Sequence, residues 1–237
     1  MFQKFKRFGK YRIINAESRW GVDLFDDLAK LATADTFRTV VDVGANRGDF
    51  SELFLRQFPS ATVHALEPVQ TTFDRLQQRL SSKPRMRFHR LAASDKSGTA
   101  LIRTFESSEK NTLVADLKDI LRINAIGEEE IKTQRLDEFF GEIKLQQVDL
   151  LKIDVEGFEM KVLEGCGSYL EPSRIRYIFY EFHRVREANS LVAGHTRLCE
   201  VDSLLDSLGY RFVTVYTQGV HANEPIGTYN ALYGPSV

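Results

Sequence analysis

Thr39-Val40-Val41-Asp42-Val43-Gly44-Ala45-Asn46-Arg47-Gly48-Asp49 decides how the rest of this 237-residue chain is read. Thr39 to Val43 is a β-branched, nearly all-apolar run that stops at a glycine, the pattern of a strand buried on both faces. Gly44 and Gly48 open a tight turn, and Phe50, Leu53, Phe54 and Phe58 follow at helical spacing. Asp49 with Glu52 three residues on has the arrangement of a helix N-cap. A strand, a glycine turn and a helix in that order bring backbone N–H groups and a positive helix end close to a bound cofactor.

Working outward, Thr62-Val63-His64-Ala65-Leu66 reads as the next strand and ends in Glu67-Pro68. The glycine spacing is G-x-x-x-G, not the G-x-G-x-x-G of a dinucleotide fingerprint. An acid at the tip of a second strand is placed to hold a ribose diol. Glu67 therefore has two readings, a ribose ligand or a cap on the helix that starts at Pro68. Asp42 also has two, a brace for the turn or a cofactor contact. Val69, Phe73, Leu76 and Leu80 form one stripe, so Val69 to Leu80 is predicted as a crossover helix. Met86 to Ala92 is predicted as a third strand and Thr99 to Phe105 as another, with type I turn residues at Asp95-Lys96-Ser97-Gly98 between them. The small Ala92, Ala93 and Ser94 would make a wall flat enough for a purine. Asp95 suits an adenine amino group or the turn itself.

Glu106 to Glu130 is polar and irregular, with a helix predicted near Val114 to Ile123, as in a lid or substrate loop. Ile131 to Leu136 then reads as a strand and Asp137 to Phe140 as a short helix. The second concentrated stretch is Val148-Asp149-Leu150-Leu151-Lys152-Ile153-Asp154-Val155-Glu156-Gly157-Phe158-Glu159. It is a strand finishing in two carboxylates one residue apart, followed by a glycine and a helix ending near Gly165. Ile175 to His183 is a fifth parallel strand; side chains alternate along a strand, so Glu181 shares a side with His183, and Asp154 with Glu156. Leu198, Val201, Leu205 and Leu208 mark a helix closed by Gly209, and Tyr210–Tyr216 with Thr228–Tyr233 make a closing antiparallel pair.

The first 38 residues are read as an arm and a helix preceding the 39–237 core, all within one domain. The arm, Met1 to Arg12, interleaves aromatic and basic residues, and docking of its Phe side chains on the domain is preferred to a membrane-surface role. Ser18 to Ala34 is predicted as an amphipathic helix through Val22, Phe25, Leu28 and Leu31. Lys plus Arg (32) nearly cancel Asp plus Glu (33), so no overall field argues for nucleic acid. Cys166 and Cys199 give neither a disulfide framework nor metal-ligand spacing, which fits a cytoplasmic setting. No apolar run reaches bilayer-spanning length, so no stable membrane insertion is expected.

Three motifs together carry a resemblance: D-V-G-A-N-x-G (42–48), L-E-P (66–68) and, the most specific, L-K-I-D-V-E-G-F-E-x-x-V-L-E-G (151–165). In these the chain resembles the FkbM family of S-adenosylmethionine-dependent methyltransferases, from about Val40 to His183, with N-A-L-Y (230–233) similar to that family's last strand. The resemblance implies an α/β, Rossmann-like class I methyltransferase fold, a mostly parallel seven-stranded sheet with an antiparallel last strand and helices on both faces. It also implies methyl transfer, most often to a hydroxyl of a sugar or polyketide-type small molecule.

On that reading Asp42, Gly44, Ala45, Asn46 and Gly48 form the cofactor turn and Glu67 holds the ribose. Pro68, Ala93 and Ser94 flank the adenine, and Asp154 points at the sulfonium end. An alcohol acceptor calls for a base, and His183, Glu156, Glu181 and Asp154 are the candidates for the catalytic end. His183 has the pKa best suited to neutral pH. A divalent cation on Asp154, Glu156, Glu181 and His183 is admitted as a lesser alternative, and no metal site is assigned. A nicotinamide-dependent oxidoreductase and a non-catalytic cofactor-binding module are the competing functional readings; the missing third glycine and the K-I-D-V-E-G block weigh against the first.

Overall fold

In the computed structural model of the chain, residues 6–8, 11–13, 20–105, 125–185, 197–219 and 226–236 are described, with the backbone alone at 6–8, 11–13, 183–185, 218, 219 and 226. Lys6–Phe8 (β1) and Tyr11–Ile13 (β2) form a small antiparallel hairpin, and Leu24–Leu31 (α1) follows. The main elements then alternate: β3 (Thr39–Val43), α2 (Asp49–Gln57), β4 (Thr62–Leu66), α3 (Gln70–Leu80), β5 (Met86–His89), β6 (Ala92–Ala93), β7 (Gly98–Thr104) and β8 (Gly127–Gln134). After these come α4 (Leu136–Glu142), β9 (Val148–Ile153), α5 (Glu159–Gly165), β10 (Ile175–Val185), α6 (Leu198–Ser207), β11 (Tyr210–Gly219) and β12 (Ile226–Pro235).

Seven strands make the central sheet in the order β11-β12-β10-β9-β3-β4-β5. The pairs β3–β4, β4–β5, β3–β9 and β9–β10 are parallel, while β12 runs antiparallel to both its neighbours. The last strand in the chain therefore lies inside the sheet, between β10 and β11. Strand order reverses at β3, which has β4 on one side and β9 on the other. In open α/β sheets a ligand crevice forms at such a switch, beyond the carboxyl ends of the strands.

Two hydrophobic layers hold this sheet. Val40, Val63, Ala65, Leu150, Phe179 and Leu232 cluster with Leu24 and Leu28 of α1, Phe54 of α2 and Leu76 and Leu80 of α3. On the opposite face Val41, Val43, Leu151, Ile153 and Ile178 cluster with Phe139 of α4, Leu163 of α5 and Leu205 of α6. Alternate residues of one strand thus feed both layers, which is why β3 and β9 are largely apolar along their whole length. Three helices on each face agree with the expected architecture.

Several sequence-based expectations need correction. The third strand stops at His89; Ala92 and Ala93 instead join β8 and β7 in a separate three-stranded sheet. Gly127 to Glu130, expected to end the irregular loop, are already strand in β8. The remainder of that loop, including the predicted helix at Val114–Ile123, falls in 106–124, outside the described residues. The first helix is shorter than Ser18–Ala34, because Asp23 caps it by accepting from Phe25 and Asp26 N–H. Asp49 does not cap α2: Gly48 occupies the N-cap with φ +86°, and Asp49 and Glu52 bind the Arg79 guanidinium of α3, the latter at 2.7 Å. An N-cap motif names a carboxylate, yet a guanidinium within reach competes for it.

Candidate active site

The glycine turn is shaped by the protein's own backbone. Gly44 has φ +76°, and a Cβ added there would lie 1.8 Å from the Asp154 carbonyl oxygen, so no side chain fits. Gly44 and Ala45 N–H both donate to the Leu66 carbonyl at 3.0 Å, and Ala45 is buried. Asn46, at φ +49°, donates its N–H to Glu67 Oε2 at 3.1 Å. Glu67 Oε1 accepts from Val69 N–H at 3.0 Å, ahead of α3. Glu67 therefore joins the glycine turn to the next helix, and the helix-bracing reading describes part of what it does. A carboxylate has about four lone-pair sites, so two backbone donors leave room for a diol. Burial pushes Glu67 up to about 7 against those two hydrogen bonds and the nearby Lys152.

Beneath the turn Asp42 and Asp154, both named from the sequence, meet at Lys152, to which the sequence assigned no role. Lys152 Nζ is 3.0 Å from Asp42 Oδ1, 3.3 Å from Asp154 Oδ2 and 3.4 Å from the Gly44 carbonyl oxygen. Asp42 is fully buried, and its Oδ2 accepts from Ser51 Oγ at 2.7 Å. Burial works against the ammonium, but Asp42 and Asp154 outweigh it and raise the Lys152 pKa above the ordinary lysine range. The Asp154 side chain keeps 24% exposure, against 3% for Lys152. Of this ionic centre, Asp154 is the side chain presented outward.

Next to it, Asp154 and Glu156 just beyond β9 and Glu181 within β10, one residue past its last pair with β9, converge with one carboxylate oxygen each within 4.8 Å of the others. Glu156 has φ +54° and Gly157 φ +100°, the sharp turn that brings the chain back toward α5. Glu159, 1% exposed, supports that turn by accepting from Gly157 N–H at 2.9 Å and Val155 N–H at 3.3 Å. Glu181 is pushed up to about 11, first by burial and then by the charges of Asp154, Glu156 and Glu159. Asn230 of β12 lies opposite Glu181 in register and is 2% exposed. Its Nδ2 has no hydrogen-bond partner among the described residues. His183 occupies β10 two residues beyond Glu181, opposite Thr228; its side chain lies outside the described residues.

On the other flank, Pro68 is half-buried beside Glu67, and Ala93 and Ser94 are buried. Ser94 N–H donates to the Gln134 carbonyl at 3.0 Å, and Gly165 of α5 approaches so closely that a Cβ there would meet Ser94 O at 2.0 Å. Asp95 accepts from Ser94 Oγ at 3.1 Å and Lys161 Nζ at 3.2 Å, and these bonds hold its carboxyl below the usual range despite partial burial. Sequence reasoning missed Lys152, Glu159 and Asn230. The signal for Lys152 was a lone cation inside a strand every residue of which is buried, which requires buried partners.

S-adenosylmethionine needs an acceptor for its ribose diol, a neutral wall for adenine and negative charge for its cationic methionyl end. Glu67, the small residues at 92–94 and the Asp42–Lys152–Asp154 centre offer groups of those three chemical kinds. The Methyltransferase FkbM domain model matches residues 42–212. The chain is 25% identical over 195 residues to 2-O-methyltransferase NoeI of Sinorhizobium fredii, covering 78% of this chain and 76% of that one. It is 30% identical over 202 residues to 31-O-demethyl-FK506 methyltransferase FkbM of Streptomyces tacrolimicus, covering 70% and 75%. A Listeria monocytogenes crystal structure described as that of an S-adenosylmethionine-dependent methyltransferase shares the fold, with TM-score 0.51 over 90% of this chain and 98% of that chain at 8% identity. Fold, motifs and family model converge: the chain belongs to the FkbM methyltransferase family and is an S-adenosylmethionine-dependent methyltransferase.

Proposed function

We propose that this protein methylates a hydroxyl oxygen of a small molecule, a sugar or polyketide-type acceptor, at the carboxyl ends of β9 and β10. The observation that carries the reading is the convergence of Asp154, Glu156 and Glu181 beside the switch point, where an alcohol needs both orientation and a proton acceptor. The names of the two relatives support it, since one is a 2-O-methyltransferase and the other methylates an O-demethyl compound.

When bound, the cofactor supplies an electrophilic methyl group on a sulfonium, and the protein's part is alignment and proton removal. In this reading Glu67 receives the ribose hydroxyls, and the turn from Gly44 through Ala45, Asn46 and Gly48 closes over the ribose side. Pro68, Ala93 and Ser94 border the adenine, while Asp154, with Asp42 behind it, faces the methionyl end. Glu181, at about 11, holds a proton at neutral pH and serves as a hydrogen-bond donor, not a base. His183, at the end of the same strand, is the preferred base, with Glu156 the competing one. No cation is assigned to the acid cluster, because converging carboxylates alone do not make a metal site.

Among the described residues no helix is long and apolar enough to cross a membrane. We place the enzyme in the cytoplasm, acting on a soluble acceptor and not on nucleic acid. The test begins with thermal shift: S-adenosylhomocysteine should stabilise the protein and NAD⁺ should not. Single-turnover transfer to a panel of glycoside and polyketide alcohols, with and without chelator, then identifies the acceptor. Transfer only to amines or carboxylates would overturn the hydroxyl assignment, and activity that vanishes with chelator would replace the His183 base by a metal mechanism.

A further inference from the structure

Among the described residues Lys152 is the most deeply buried lysine or arginine, and no step of the reaction above requires it. It stands on β9 with its ammonium enclosed from every side. From β3 come the Asp42 carboxylate and the Gly44 carbonyl; from β9 itself comes Asp154. From α2, Phe50 lays its ring 5.0 Å from Nζ, and Ser51 occupies the other oxygen of Asp42. Glu67 at the end of β4 lies near enough for its charge to interact with the ammonium, and Glu181 of β10 interacts with Asp154.

This is more machinery than a core needs. A buried ion pair is about neutral for stability against apolar residues of the same volume, and the neighbours of Lys152 on its own strand are Leu151 and Ile153. Its two acids also differ in kind: Asp42 has no exposure, whereas Asp154 keeps 24% of its side chain open at the switch point. One ammonium between two carboxylates carries a net negative charge, presented outward through Asp154. A cationic group of a ligand at Asp154 would offset that charge.

We propose that Lys152 is a positioning residue for the methyl donor: anchored by Asp42, it fixes the Asp154 carboxylate and the Gly44 carbonyl so that the cationic methionyl end completes the charge balance. The inference rests on the assignment of these strand ends to the cofactor. Lys152 touches neither cofactor nor acceptor and acts through Asp154.

The experiment compares two ligands in wild type and variants by calorimetry. S-adenosylhomocysteine carries the amino-acid end with its ammonium and carboxylate, and 5′-methylthioadenosine carries the same thionucleoside without either. Lys152→Met leaves the buried Asp42 and the half-buried Asp154 without their cation and serves only if it folds; Asp42→Asn/Lys152→Met replaces the pair by neutral residues and keeps the volume. In either variant the preference for S-adenosylhomocysteine over methylthioadenosine should fall about tenfold or more, the scale of one lost charge-assisted hydrogen bond, while methylthioadenosine affinity holds. Equal weakening of both ligands, or no change in their ratio, makes Lys152 a structural brace and overturns the proposal. A second readout needs no variant: the ¹⁵N signal of the Lys152 ammonium in wild-type protein should move on adding S-adenosylhomocysteine and stay with methylthioadenosine. Identical responses to both overturn the proposal even if every variant unfolds. Failure of wild type to bind S-adenosylhomocysteine at all would instead sink the cofactor assignment, a separate outcome.

Discussion

Glu67 and Glu181 are the same residue type and both are buried; Glu67 directly follows β4, and Glu181 lies in β10 just past its last pair with β9. Their surroundings set them to different work. Around Glu67 the neighbours are backbone donors, Asn46 N–H at 3.1 Å and Val69 N–H at 3.0 Å, supplied by a turn and a helix start. Around Glu181 the neighbours are other acids, Asp154 and Glu156. Donors partly offset burial, and Glu67 reaches about 7; like charges add to burial, and Glu181 reaches about 11. One carboxyl is poised to ionise around neutral pH, while the other is kept neutral. The proposed cofactor and acceptor ends of the crevice differ in what faces each acid.

The strongest break of this comparison lies at the acceptor end. Replacing His183 by Ala should lower single-turnover methyl transfer by roughly 10²-fold or more with cofactor binding nearly unchanged, as for a lost general base. If Glu156→Gln shows that loss and His183→Ala keeps full rate, the base is the carboxylate. At the cofactor end, Glu67→Ala should weaken S-adenosylhomocysteine by roughly 1.5–3 kcal/mol in calorimetry, since a charged acceptor is removed. Unchanged affinity would move the ribose elsewhere and erase the contrast between the two acids.

A gentler test uses pH. Glu67 has its folded pKa raised from 4.5 to about 7, so its contribution to apo-protein stability is fully present below 4.5 and lost as pH rises through 7. Ribose hydroxyls donate to the ionised form, so binding should release a proton, and affinity should fall by about tenfold per unit as pH drops below 7. Glu67→Gln should flatten that profile; a slope that survives the substitution assigns the titration to another group. Smallest of all is the surface Arg79, which holds Asp49 and Glu52 in an exposed setting. Arg79→Ala should cost under about 1 kcal/mol in thermal unfolding and leave cofactor affinity alone. A larger binding effect would show that the α2–α3 contact tunes the glycine turn.

Much of this was legible in the residues themselves. The run Thr39–Val43 with its glycine fixes strand, turn and helix, because a both-sides-buried strand must be apolar throughout and a φ of +76° over a neighbouring backbone admits only glycine. The strand-end acids Glu67 and Asp154 were legible because a carboxylate after an apolar strand stands where helices leave the crevice open. Local pattern also gave the closing pair Tyr210–Tyr216 and Thr228–Tyr233, here within β11 and β12.

Other features depended on which strands became neighbours. Sequence spacing says nothing about β12 entering between β10 and β11, so it could not bring Asn230 opposite Glu181. Nor could it show Lys152 spanning Asp42 and Asp154, since that requires β3 beside β9 with Asp42 in register with Lys152. The N-cap at Asp49 failed for the same reason, because Arg79 lies 30 positions away in the chain. Local propensity and periodicity are encoded within one element, and they determined the strands, the glycine turn and the list of acids. Charge pairing and pKa depend on distances between elements, so the tertiary structure alone decided which acid is held by donors, which is kept protonated and which shares a buried lysine.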